Sequence, residues 1–241
     1  MTGSRVVGPN RGSVVGLAPN SGPATQRLRI GLNLTTLTGT LLDGEVAQVV
    51  ESTALLCSRR GQELGVGHWT FDGPALAHAL GNSMLLELAQ LAAQLSKMKG
   101  VPAEATGLEP LHVRMAEAGR MLPPQAAVPA EQVFQEVQAR YADNFAKFDL
   151  IISPTLAKPP PKLGVLVAPD RPIELVLSTY LSHSPYTTVA IVAGAPAMSV
   201  PLRLSSERLP IGVQFFAPFG EGRRLLELAY ELEMAGPWRP Q

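Results

Sequence analysis

The chain has 241 residues, 46% hydrophobic and 17% charged, enough apolar material for a sizeable core, which excludes disorder throughout. Lys plus Arg and Asp plus Glu each number 20, so no net charge is available to grip nucleic acid or an anionic membrane. Cys57 is the one cysteine, which excludes an internal disulfide and a cysteine-rich zinc site, and no apolar stretch reaches the roughly 18 residues of a membrane span.

Residues 1–26 are rich in Gly, Pro, Ser and Asn, without a period of strand or helix, and read as a flexible or misplaced N-terminal arm. They contain no signal-peptide pattern, so the expected compartment is the cytoplasm, in keeping with the single thiol. Residues 27–241 read as one domain. Leu28, Ile30, Leu32 and Leu34 alternate with Arg29 and Asn33 as in a strand. Asp43 is placed to cap a helix carrying Val46, Val49, Val50, Thr53, Leu56 and Cys57 at helical spacing, and Gly61 ends it. Gly65-Val66-Gly67 holds only a fragment of a dinucleotide fingerprint and reads as a loop.

Asp72 opens a longer helix through Leu76, Leu80, Leu85, Leu88, Leu91 and Leu95 to Gly100, a stripe read as core. Two more helices are expected over residues 108–121 and 130–147, separated by Pro123, Pro124 and Pro129. Residues 149–153 form a short apolar run that Pro154 is expected to stop, a buried strand. Pro159, Pro160 and Pro161 mark an extended crossing, and residues 174–181 a short helix. Strands at residues 197–201 and 211–216 flank a turn at residues 205–208, and a last helix carries Leu225, Leu226, Leu228, Ala229 and Leu232. Gly212 inside a strand marks a bulge or a close backbone approach. Helices interleaved with short strands give an α/β fold, a mixed sheet flanked by helices.

The segment FDLIISPTLAKPPPKLG, residues 148–164, resembles the late strand and loop of the amidase signature family. AGAPAMSVP, followed by LPIGVQ and the last helix within residues 193–233, resembles that family's closing signature. LRIGLNLTTLTG and the helix after Asp43 are similar to its mid-chain strand and helix, so the resemblance runs from Leu28 to Gly236. It implies the second half of an amidase-signature fold and the hydrolysis of carboxamide C–N bonds, with neither metal nor cofactor. In that family a Ser is activated through a second Ser by a neutral Lys, and backbone N–H groups meet the oxyanion. Those residues belong to a Gly/Ser-rich half that precedes the strand matched here. The sequence has no Gly-Gly-Ser-Ser-Gly-type run, and Lys97, Lys99, Lys147, Lys158 and Lys162 all stand elsewhere, so no catalytic residue carries over.

By the same resemblance the stretch from Thr187 borders the acyl-side pocket, which makes Thr187, Ala190 and Ile191 the candidate substrate-binding residues. Ala190-Ile191 stands where the family often has Phe-Asn, a smaller and wholly apolar wall. Two readings remain open: part of an amidase, catalytic only when its other half supplies the site for a small amide, or a non-catalytic binding or oligomerisation module. Self-association is expected either way, because strands without their sheet neighbours leave edges and apolar faces bare.

Other constellations carry less. Ser96-x-x-Lys99 has the spacing of a Ser-Lys pair but falls at a polar helix end, where a solvated amine is a poor base. Cys57 lies on an apolar stripe, which argues for packing. His68, His78, His112 and His183 show no ligand spacing.

Overall fold

The computed structural model describes residues 26–166 and 171–235, so the expected arm, save Gln26, lies outside the described residues. The alternation at its start gives β1, Arg29–Leu32, with Ile30 fully buried. Asp43 caps α1, Gly44–Arg59, by accepting from the Glu45 N–H at 2.9 Å, a contact that contributes about 1 kcal/mol. Val46, Val49, Val50, Thr53 and Cys57 form its buried stripe.

Glu63–Val66 is a strand, β2, where the sequence suggests a loop. It has too few apolar residues to be recognised by itself, and its partner makes it a strand. Gly31 of β1 pairs in parallel with Gly65, and the two leave a slot for the Phe148 ring. Cβ atoms there would stand 2.8 and 2.7 Å from the ring carbons.

Asp72 caps α2, Gly73–Lys99, through the Ala75 N–H at 2.9 Å, and Gly100 ends it in the left-handed region at φ 67°. Leu76 and Leu85 of the expected stripe are buried, whereas Leu91 is exposed. Packed against α2 is α3, Pro110–Met121, at backbone contact, since a Cβ on Gly119 would strike the Leu85 carbonyl. Helix α4, Ala127–Tyr141, begins earlier than expected because Pro129 falls in its first turn, where a missing N–H breaks no bond. A 3-10 turn, Ala142–Phe145, leads to β3, Leu150–Pro154, buried along its whole length.

The chain continues through α5, Ile173–His183, α6, Thr188–Ala193, β4, Ala197–Leu204, β5, Pro210–Phe216, and α7, Gly222–Ala235. Neither Pro154 nor Pro201 stops its strand. Pro154 still pairs with Val213, and β4 passes through Pro201 with a register shift before Arg203, which an edge strand tolerates. Helix α6 was not expected: TVAIVA is β-branched and no side chain caps it. Tertiary packing of Val189, Val192 and Ala193 holds it instead.

Among the described residues the sheet has the order β2-β1-β3-β5-β4, parallel through β2-β1-β3 and antiparallel through β3-β5-β4. One face packs on α1 and α7. On the other, α2, α4 and α6 lie against Ile151 and Phe216. This is the mixed sheet flanked by helices that the sequence implies. No helix among the described residues is long and apolar enough to cross a membrane.

Candidate functional site

Strands β1 and β3 run in parallel and release the chain at the same side of the sheet, where α/β folds open onto ligand crevices. The residues after β1, Asn33 to Leu37, meet there with the corner between α5 and α6. Tyr186 anchors that corner: its buried hydroxyl donates to the Leu34 carbonyl at 3.0 Å, and burial pushes the phenol far above its ordinary value. The Ser184 and Thr187 hydroxyl oxygens stand 2.7 Å apart. Ser184, Pro185 and Thr188 face Leu37, Gly73 and Leu76 across a narrow crevice. Past Leu37 it opens into a cavity of about 170 Å³ walled by Thr35, Thr36, His68, Trp69 and Phe71. Gly73 is required at the junction, because a Cβ would collide with the Leu37 carbonyl. Trp69 stacks on Phe71 at 5.6 Å and Tyr141 at 6.0 Å, and its buried indole N–H has no partner among the described residues.

The three residues chosen from the sequence separate here. Thr187 is half-buried and paired with Ser184, Ala190 is buried in the core beneath α6, and Ile191 is 72% exposed. Their neighbours Ser184 and Thr188, and not the three themselves, line the crevice.

A second polar group crosses the sheet on the α4–α6 side. Asn33, whose N–H donates to the Ile152 carbonyl at 2.9 Å, stands beside Ser153, and Ser153 pairs with Gln214, which pairs with Ser199. Asn33, Ser153 and Gln214 are buried, Ser199 is exposed, and Asn33 Nδ2 and Gln214 Oε1 have no hydrogen-bond partner among the described residues. An unmade bond of this kind costs about 1–3 kcal/mol. Next in the row, Thr155 Oγ1 and Ser199 Oγ lie 2.6 Å apart beside Gly212, where a Cβ would stand 2.7 and 3.0 Å from them. The close approach expected at Gly212 is therefore between its backbone and this hydroxyl pair. Four separate stretches of sequence meet in the row, so spacing along the chain gives no sign of it.

The row consists of hydroxyls and amides, none of them a base, an arrangement that binds and orients a polar group without attacking it. The remaining candidates behave as packing or solvated groups. Burial, then the charge of Glu231, pushes the Cys57 thiol up to about 12, which leaves no thiolate near neutrality. Lys99 Nζ donates to the Thr106 carbonyl at 2.6 Å on an exposed helix end. No group of three His, Cys, Asp or Glu among the described residues is placed to hold a metal.

The Amidase family model matches residues 9–226. AmiC of Mycobacterium leprae is 38% identical over 104 residues, which is 43% of this chain and 22% of that protein. The 6-aminohexanoate-cyclic-dimer hydrolase of Paenarthrobacter ureafaciens is 38% identical over 104 residues, 40% of this chain and 21% of that protein. A solved 6-aminohexanoate cyclic dimer hydrolase superposes with a TM-score of 0.78 at 25% identity, over 96% of this chain and 52% of that one. The chain thus spans about half the length of this solved relative.

Proposed function

The chain belongs to the amidase family, and from that membership we propose that it forms the substrate-lining part of an enzyme that hydrolyses carboxamide C–N bonds. The nucleophilic Ser, its bridging Ser and the Lys base come from polypeptide other than these residues, and the chain alone turns over no amide. The observation that carries this reading is the second face of the sheet, with buried amides unpartnered among the described residues, an exposed hydroxyl pair and a β4 edge that pairs with no further described strand. The catalytic half covers the part of that face that α2, α4 and α6 leave open and pairs with that edge; without it, the edge favours self-association.

The substrate in this reading is a small aliphatic amide, with Thr187 and Ile191 on the acyl side and Ala190 packed beneath them. Apolar contact there contributes about 0.8 kcal/mol per methylene covered. The 6-aminohexanoate cyclic dimer of the relatives named above is an aliphatic amide and supports this choice. A cytoplasmic location goes with the free, buried Cys57.

The test mixes the full chain with the N-terminal half of the Paenarthrobacter ureafaciens hydrolase and follows amine release from aliphatic amides. Turnover is expected from the mixture and not from either part. Turnover by this chain alone that survives Ser96→Ala and Cys57→Ala would overturn the reading.

A further inference from the structure

The turns of α5 that face Leu181 and Ser184 toward the crevice aim Thr179, Ser182 and His183 at a different cavity, of about 250 Å³. Its opposite wall is the crossing between β3 and α5, where Pro159, Pro161, Val165 and Leu166 present apolar surface and Lys158 stands beside His183. The hydroxyls of Thr179 and Ser182 donate to carbonyls of their own helix, at 2.6 and 2.9 Å, and send no proton into the space. That leaves one donor open to the space. The Lys158 ammonium has no hydrogen-bond or ion-pair partner among the described residues, and His183 Nε2 is buried with none. Burial, then the charge of Lys158, holds the His183 imidazole below its ordinary value. No Asp or Glu is among the described residues that line the cavity. One cation beside an apolar wall suits a monoanion with an aliphatic tail.

We propose that this cavity binds a short aliphatic carboxylate, its oxygens on Lys158 Nζ beside the His183 ring and its alkyl chain against Pro159, Pro161, Val165 and Leu166. Such an acid is the product of hydrolysing an aliphatic amide, and that connection, unlike the binding itself, rests on the proposed function. A cavity of this size suits a chain of a few carbons and not a large ligand.

Nuclear magnetic resonance titration of the full 241-residue chain with hexanoate, hexanamide and inorganic phosphate tests it. Hexanoate is expected to shift the His183 ring resonances saturably, and hexanamide and phosphate to leave them in place. Lys158→Gln should weaken hexanoate by about tenfold while Lys158→Arg retains it. Lys158 is exposed, so an unchanged backbone spectrum verifies that the variants fold. Equal binding of hexanamide, equal binding of phosphate, an unmoved His183 or a silent Lys158→Gln would each overturn the proposal. Because the readout is binding without turnover, it is independent of whether the complemented enzyme cleaves amides.

Discussion

The two faces of the sheet are built from alternate residues of the same strands, yet they reach different ends. Under α1 and α7, Ile30, Leu150, Ile152, Val213 and Phe215 are all at 0% exposure in a purely apolar layer. One residue along each strand, the other face carries Asn33, Ser153, Gln214 and Ser199, with amide atoms unpartnered among the described residues and Ser199 exposed. The first face is closed by α1 and α7, the second only in part by α2, α4 and α6. The second retains polar groups whose burial opposes folding, which is where a binding surface is built into a sheet that the opposite face stabilises.

The largest break in this comparison is expected at Phe215. Phe215→Ala should cost about 3–5 kcal/mol in urea unfolding. Ser199→Ala on the other face should cost under about 1 kcal/mol, and equal losses would mean the two faces carry the same load. Gly212→Ala comes next, at about 1–3 kcal/mol, because its new methyl meets the Thr155 and Ser199 hydroxyls. Adding Ser199→Ala should recover part of that loss, and strictly additive effects would place the obstruction elsewhere.

Asp149 sharpens the account at the base of the sheet, where it pairs with Arg29 at 3.1 Å and Arg224 at 3.3 Å. Burial pushes its carboxyl up, but the Arg29 hydrogen bonds and the two guanidinium charges outweigh that and hold it below the usual carboxylate value. A lowered folded value gives stability that is complete above the unfolded pKa, about 3.9, and lost as pH falls through the folded value. Asp149→Asn should therefore cost about 1 kcal/mol at neutrality, and the gap to the parent should close in acid. A gap that persists there would assign Asp149 a packing role. The smallest effect is expected at Ile191. With 72% of it exposed, Ile191→Asn should change stability by less than about 0.5 kcal/mol. In the complemented enzyme it should shift preference from aliphatic toward polar amides, measured as kcat/KM. A large fall in Tm with a uniform loss on all amides would remove Ile191 from the pocket wall.

Elements with their own apolar period, such as α1 with Val46, Val49 and Val50, were legible in the sequence, as was the hairpin around Ala197 and Ile211. Those that borrow their stability were not. Glu63–Val66 becomes a strand through Gly31 and Phe148, and Thr188–Ala193 a helix through the core beneath it. The site divides in the same way. The sequence pointed to the stretch beginning at Thr187, but which residue faces the crevice depends on a helix it did not announce. The polar row was hidden because cross-strand register, which sets it, is written in no single segment.

Strand β1 meets its two neighbours at very different times. β2 follows after one helix, but Arg29 and Asp149, joined across the β1–β3 pair, are 120 residues apart. At about 5–20 residues per second, synthesis of that interval takes roughly 6–24 s. Two strands of four residues each are marginal alone, so β1 and β2 remain unassembled through that time while α2, α3 and α4 leave the ribosome. The sheet therefore assembles late, when β3 arrives with the β4–β5 hairpin close behind. Until then Leu28 and Ile30 are surface that a chaperone has time to hold.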